Sequence, residues 1–133
     1  MAAKLQPRAL LTSFYERSLI VDPIERLRKV ADVEEANLGR CLTEQELADS
    51  IPGRHFIIAA DEKYHATLLD LADDLVLIAR EGTGYDGIDV DAATDRGILV
   101  TNAPVVHACT ANLTIGLMIA VVRKIVLCDR DVH

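Results

Sequence analysis

The chain has 133 residues, of which 50% are apolar and 26% are charged, and its formal net charge is −7. This length and composition fit one globular domain with its own core. The acidic balance argues against a nucleic-acid partner, because phosphate binding requires clustered Lys and Arg. The longest apolar run, 115–122, falls well short of the roughly 20 residues of a membrane span, and the N-terminus lacks a signal-peptide core. We therefore expect a cytoplasmic protein that has no membrane contact.

Short apolar runs and helix-like segments alternate through the first half of the chain. A first strand is predicted at 9–12, followed by a helix that begins at Asp22 and by a weak second strand at 33–38. The Thr-Glu-Gln-Glu sequence at 43–46 has the spacing of a capping box and predicts the start of the next helix. Pro and Gly at 52–53 end that helix.

The second half of the chain continues the alternation. Two continuous apolar runs, 55–60 and 75–79, are typical of parallel strands that are buried on both faces. Leucines at 68–71 mark a helix between them, and a short helix at 90–96 precedes a last strand at 98–101. Five strands that alternate with helices predict a parallel α/β sheet with helices on both faces, in the flavodoxin-like strand order.

A final helix is predicted from Thr110 to about residue 130, and it is apolar on nearly every side. A surface helix of a monomer has a polar face, so another surface must cover this one. Self-association, as a homodimer or otherwise, through residues 109–132 is the expected cover. Burial of the helix inside this one domain is the alternative.

Cysteine and histidine spacing predicts no metal site. Cys41, Cys109 and Cys128 are odd in number and form no C-x-x-C pair, which predicts free thiols and argues against a disulfide framework. The histidines also lack partners at the spacing of metal ligands.

A glycine-rich stretch, Arg-Glu-Gly-Thr-Gly-Tyr-Asp-Gly-Ile-Asp at 80–89, follows the fourth predicted strand. Glycine lets backbone N–H groups approach a ligand without obstruction by Cβ, and successive N–H groups attract anions. The three glycines have the G-x-G-x-x-G count, but Asp86 and Asp89 flank the last one and would repel a pyrophosphate. We interpret these two acids as local caps rather than as an acid/base pair. From the residues alone, the stretch is either an anion-binding loop or a tight turn whose glycines supply positive φ.

Further motifs follow this loop in a fixed order. They are GTGYDGIDVDAA at 82–93, RGILVTNAP at 96–104 and TANLT at 110–114, which leads into the apolar helix. This order resembles the D-isomer-specific 2-hydroxyacid dehydrogenases, closest to their glyoxylate reductase and phosphoglycerate dehydrogenase branches. The resemblance covers residues 75–130 and is only topological over 1–74. It implies an NAD(P)-dependent oxidoreductase that acts on the CH–OH group of D-2-hydroxy acids and reduces small 2-oxo acids.

The resemblance also implies a substrate site in this loop. It places the substrate carboxylate on the backbone N–H groups of Thr83 and Gly84, with Gly82 in the same loop. Thr83 would also lie beside the nicotinamide of NAD or NADP, and Thr110 either approaches the cofactor or caps the last helix. Arg80 is either a carboxylate clamp or half of a structural ion pair. No catalytic residue is assigned, because the family's nucleotide domain and its catalytic Arg, Glu and His lie further along such a chain.

We therefore expect residues 1–108 to form the substrate-binding domain and residues 109–133 to form a helix that leads to a nucleotide-binding domain absent from this chain. On this hypothesis the isolated chain binds no cofactor and is catalytically inactive. A stand-alone flavodoxin-like interaction module without catalysis is the alternative. A response-regulator receiver is disfavoured, because Asp61 follows the third strand but no acid pair follows the first.

Overall fold

The computed structural model describes residues 6–12, 21–36, 38–104 and 107–132. The chain divides into two compact units, Met1–Ala103 and Pro104–His133. In the described part of the first unit, strands and helices alternate as β1 (Arg8–Leu11), α1 (Val21–Arg28), β2 (Asp32–Glu35), α2 (Glu44–Ser50), β3 (Phe56–Ala59), α3 (Ala66–Leu69), β4 (Leu77–Arg80), α4 (Val90–Asp95) and β5 (Leu99–Thr101).

The five strands form one parallel sheet in the order β2-β1-β3-β4-β5. This is the flavodoxin-like order, so the predicted fold class is confirmed. Right-handed crossovers put α1 on one face of the sheet and α2, α3 and α4 on the other. β4 begins and ends later than predicted, and Arg80 is therefore its last residue, paired with Ala59 of β3.

The main core lies between the sheet and the face covered by α2, α3 and α4. Its wholly or almost wholly buried side chains include Leu47 of α2, Leu69 of α3 and Ile57 of β3. The prediction that this apolar strand is buried on both faces was wrong in part. Ile57 and Ala59 are buried, but Phe56, on the opposite side of the strand, is only half-buried.

The predicted capping box begins α2 and is confirmed. Thr43 Oγ1 accepts a hydrogen bond from Glu46 N at 3.3 Å, and Glu46 Oε2 accepts one from Thr43 N at 2.8 Å. The guanidinium of Arg40 donates to both carboxylate oxygens of Glu46 at 2.8 Å. These bonds, with that from Arg40 contributing most, lower the pKa of Glu46 from 4.5 to about 2.

The second unit contains two helices where one was predicted. They are α5 (His107–Val122) and α6 (Ile125–Val132), separated by Lys124, whose φ of 53° lies in the left-handed region. Lys124 N donates to Val121 O at 3.1 Å, which closes α5, and Lys124 O accepts from Cys128 N at 3.0 Å in the next helix. No Gly or Pro marks this break in the sequence, so the apolar pattern predicted a continuous helix.

The apolar side chains of this second unit are exposed. They include Leu113, Ile115, Leu117, Met118, Ile119, Val121, Val122, Ile125, Val126 and Leu127, each at least half exposed. Among the described helices, none alone has the length and hydropathy to cross a membrane. By length and composition, α5 and α6 meet that requirement only as a pair, and their axes are bent by 58° at the break.

Candidate functional site

The loop after β4 lies at the carboxyl edge of the sheet, where open parallel sheets bind ligands. It is held there by the residues that follow the neighbouring strand β5. Asn102 Nδ2 donates to the carbonyl of Thr83 at 2.8 Å, and Ala103 N donates to the carbonyl of Gly82 at 3.0 Å. Two consecutive carbonyls of the loop therefore accept hydrogen bonds from residues that follow β5.

Three N–H groups of the same loop lack such partners within the part of the chain that the structure describes. Glu81 N donates to Ala59 O at 3.1 Å and extends the strand ladder by one residue. Beyond it, the N–H groups of Gly82, Thr83 and Gly84 donate to no acceptor within the described ranges of the chain. The hydroxyl of Thr83 is buried and also lacks a partner in those ranges. The three N–H groups are therefore open to a bound anion, and the buried hydroxyl of Thr83 is a polar group of the kind that is nearly always paired in folded proteins.

The glycines of this loop do not serve to supply positive φ. Among the described glycines, the left-handed region is occupied by Gly39, Gly53 and Gly97, and by none of those at 82, 84 and 87. The interpretation of the stretch as a turn built on positive φ is therefore wrong.

Space explains the glycines instead. A Cβ at position 82 would fall 2.8 Å from Arg80 Nη1, and one at position 87 would fall 3.0 Å from the backbone oxygen of Glu62. At position 84 the nearest atom to a Cβ, Asp86 Oδ2, is 3.5 Å away, an ordinary van der Waals contact. A Cβ at position 87 would thus crowd backbone, whereas at position 82 it would meet only the movable end of the Arg80 side chain. At position 84 the missing side chain leaves the backbone open to a ligand.

Arg80 forms an ion pair beneath the loop. Its Nη2 donates to Asp61 Oδ1, and its side chain is 15% exposed while that of Asp61 is 65% exposed. Asp61 follows β3, the strand beside β4, so the two side chains meet because the carboxyl ends of parallel strands share one edge. The structure thus contains an ion pair of Arg80, with Asp61 as its partner.

A buried polar cluster fixes the segment that carries Asp61. The carboxylate of Glu62, which is 5% exposed, accepts from Thr12 Oγ1 at 2.8 Å and from Leu42 N at 3.2 Å. Tyr64 is completely buried, and burial, with a contribution from the negative charge of Glu62, raises the pKa of its hydroxyl. These contacts hold the residues after β3 against β1 and so fix where Asp61 lies.

Asp89 is the N-cap of α4, since its Oδ1 accepts from Ala92 N at 2.9 Å. The capping interpretation is thereby confirmed for Asp89. Asp86 is exposed, and the described hydrogen bonds give it no capping role. In the described ranges, no three His, Cys, Asp or Glu side chains are grouped so that they would hold a metal ion.

Thr110 belongs to the second unit and lies three residues inside α5, because that helix begins at His107. The alternative that Thr110 caps the helix was therefore wrong. Asp61 shapes the site but was not assigned to it from the sequence. It gains its role from the neighbouring strand β3, and the available signal was that it directly follows a predicted strand whose end shares an edge with the loop.

The family model described as D-isomer specific 2-hydroxyacid dehydrogenase, catalytic domain, matches residues 13–115. The chain belongs to this family. Among its relatives, the D-3-phosphoglycerate dehydrogenase of Methanocaldococcus jannaschii is 35% identical over 111 residues, which are 80% of this chain and 21% of the relative. The chain spans about a fifth of the length of the curated 2-hydroxyacid dehydrogenases that it matches first.

Solved structures of other proteins share the fold. A protein of Thermus thermophilus superimposes with a TM-score of 0.79 at 32% identity, over 92% of this chain and 39% of that one. The NADPH-dependent glyoxylate/hydroxypyruvate reductase of Sinorhizobium meliloti, solved in complex with NADP and malonate, has a TM-score of 0.65 at 28% identity. It matches over 86% of this chain and 34% of its own.

Proposed function

We propose that the chain is the substrate-binding part of an NAD(P)-dependent oxidoreductase that acts on the CH–OH group of D-2-hydroxy acids and reduces small 2-oxo acids. The observation that carries this proposal is a group of donors at the carboxyl edge of the sheet that have no partner among the described residues. They are the N–H groups of residues 82–84 and the Thr83 hydroxyl. The names of the Methanocaldococcus and Sinorhizobium relatives support the reaction class.

Thr83 and Gly84 anchor the substrate carboxylate through their N–H groups in this proposal, and Gly82 lies next to them in the same loop. Hydrogen bonds from N–H groups to a carboxylate are charge-assisted, which makes them about twice as strong as neutral ones. Asn102 and Ala103 hold the two carbonyls of this loop toward β5. They thereby preorganise the N–H groups before the substrate arrives, which reduces the ordering cost of binding.

The residues at this edge also fit the nicotinamide end of a dinucleotide. A buried hydroxyl without a partner in the described ranges, that of Thr83, suits the polar carboxamide of that ring. Thr110 is proposed as a further cofactor contact on the strength of the family resemblance alone. Nicotinamide, when bound, supplies or accepts the hydride of such a reaction. No G-x-G-x-x-G sequence opens a described helix of this chain, so we assign the rest of the dinucleotide to residues outside it.

The 133-residue chain alone is proposed to be inactive, because no nucleotide-binding fingerprint opens any of the helices that the structure describes. Incubation of the purified chain with NADH or NADPH and glyoxylate should leave the absorbance of the reduced cofactor unchanged. Enzyme-dependent oxidation that is proportional to the amount of purified chain would contradict this part of the proposal.

Ligand binding tests the substrate site without requiring turnover. We expect the chain to bind glycolate, a 2-hydroxy acid, and to bind glycolamide far more weakly, because the neutral amide loses the charge-assisted hydrogen bonds. Gly84→Val should abolish glycolate binding, since a branched side chain covers the loop N–H groups. In a longer protein that includes the nucleotide domain, the same substitution should raise KM strongly. Equal binding of glycolate and glycolamide, or binding that is unaffected by Gly84→Val, would mean that the loop is only a connection between strands.

A further inference from the structure

The surroundings of Arg80 are acidic. A cavity of about 140 Å³ lies beside the loop and is lined by residues 84–88, by Arg80 and by Asp61 and Glu62. Asp86 adds a third carboxylate within the loop segment of that lining. Arg80 is the one cation among these lining residues, within the part of the chain that the structure describes.

The single cation is already paired. Arg80 donates through Nη2 to Asp61, and the guanidinium lies so close to Gly82 that a Cβ there would be 2.8–3.0 Å from three of its atoms. The arginine side chain is only 15% exposed, which leaves little of its fork open to a ligand. One face of the guanidinium is thus covered by the loop, and one edge is bound to a carboxylate.

We infer that Asp61 is a specificity-determining residue, which restricts this site to small 2-hydroxy and 2-oxo acids without a phosphate group. This inference rests on the proposed function, since it assumes that the loop N–H groups bind the substrate carboxylate. A carboxylate needs only those N–H groups, whereas a phosphate adds a charge of about −1.5 to −2 at pH 7. Arg80 would be the cation nearest to the phosphate. Its guanidinium can bind a phosphate through two parallel hydrogen bonds only when it has no other partner.

Local charge therefore disfavours phosphorylated acids in this chain, despite its sequence match to relatives named D-3-phosphoglycerate dehydrogenase. With Asp61 neutralising Arg80, the carboxylates of Glu62 and Asp86 leave the lining net negative. A like charge repels a dianion more than a monoanion, so the penalty falls mainly on phosphorylated acids. Asp61 does not touch the reacting atoms in this account and acts through Arg80.

The test compares two acids that differ only by a phosphate group, D-glycerate and 3-phosphoglycerate. Dissociation constants are measured for the purified chain and for Asp61→Asn at matched ionic strength. Asparagine can still accept the hydrogen bond from Arg80 but removes the negative charge. The control is Asp70→Asn, because Asp70 is 59% exposed and pairs with Arg96 Nη2 away from the loop. It removes the same unit of charge from the protein.

We expect the wild-type chain to prefer D-glycerate. Asp61→Asn should shift the ratio of the two constants toward 3-phosphoglycerate by roughly 1.5-fold to fivefold, the range of one exposed charge interaction. Asp70→Asn should leave the ratio unchanged. A wild-type chain that prefers 3-phosphoglycerate, or a ratio that Asp61→Asn does not move more than Asp70→Asn does, would overturn the inference while D-glycerate binding leaves the proposed function standing. If D-glycerate does not bind to the wild-type chain at all, the proposed function fails and the inference fails with it.

Discussion

Gly82 and Arg80 are in such close contact that a Cβ on Gly82 would lie 2.8 Å from Arg80 Nη1 and 3.0 Å from Arg80 Cζ. The backbone of Gly82, in the loop, thus packs directly against the guanidinium of Arg80, in the preceding strand. The position of this arginine depends on the absence of one side chain from its neighbour. The Arg80–Asp61 pair and the path of the loop are therefore coupled.

Gly82→Ala should displace the guanidinium of Arg80 and weaken its pair with Asp61. Because Asp61 is largely exposed, the loss of free energy of unfolding should be small, about 1 kcal/mol or less. Chemical denaturation measures it, with Gly84→Ala as the matched control, since a Cβ there meets nothing closer than 3.5 Å. Equal stability of the two variants would show that the guanidinium moves aside at no cost.

Asn102→Ala should weaken carboxylate binding without unfolding the protein. The substitution removes the hydrogen bond from Nδ2 to the carbonyl of Thr83, which helps to hold the loop in its binding conformation. Since Asn102 is exposed, we expect a loss near the lower end of roughly 0.5–1.5 kcal/mol for an ordinary hydrogen bond, which corresponds to a roughly twofold to threefold weaker affinity for glycolate. Gln45→Ala serves as the control, because it removes an exposed hydrogen bond that a side-chain amide donates on α2. An Asn102→Ala affinity equal to that of the control would mean that the loop holds its shape unaided.

Glu46 should make the stability of the chain depend on pH in the acidic range. Its folded-state pKa of about 2 lies below its ordinary value of 4.5, so its stabilising contribution is complete above pH 4.5. That contribution is lost progressively as the pH falls from about 4.5 through 2, where the carboxylate becomes protonated in the folded state. Thermal unfolding of wild-type protein and of Glu46→Gln across this window should show a flatter pH dependence for the variant. Asp49→Asn, on the same helix but outside the network of Arg40 and Thr43, should retain the wild-type slope.

Leu117→Glu should reduce self-association of the chain. Leu117 is 58% exposed on α5, among the other exposed apolar side chains of that helix, and a charge there would oppose burial against a second copy. Sedimentation velocity should show a dimer or larger species for wild-type protein and a monomer for the variant. Val30→Glu changes an apolar residue of similar exposure in the first unit and should sediment like the wild type. A wild-type protein that sediments as a monomer would show that these exposed apolar side chains do not cause self-association.

The sheet could be predicted from the sequence because its signals are local. Continuous apolar runs marked the central strands, and the Thr43–Glu46 spacing marked the start of α2 correctly. The break between α5 and α6 could not be predicted, because Lys124 adopts a conformation that its residue type rarely takes. The sequence around it contains no Gly or Pro that would mark a break in the helix.

The loop itself was also found from the sequence, but its surroundings were not. Its glycines and its place after an apolar run are visible within about ten residues of sequence. The pair between Arg80 and Asp61 joins positions that are 19 residues apart, and it forms only because β3 and β4 are neighbours in the sheet. The role of Asn102 depends in the same way on β5 lying beside β4.

Residue-resolved amide resonances would show whether the N–H groups of Gly82, Thr83 and Gly84 bind a carboxylate. A titration with glycolate at constant ionic strength should shift these three amide signals together and saturably. The amides of Gly53 and Gly97, which lie in positive-φ turns elsewhere, serve as internal references and should not move. Unchanged signals at 82–84, or shifts of the same size at Gly53 and Gly97, would contradict the account.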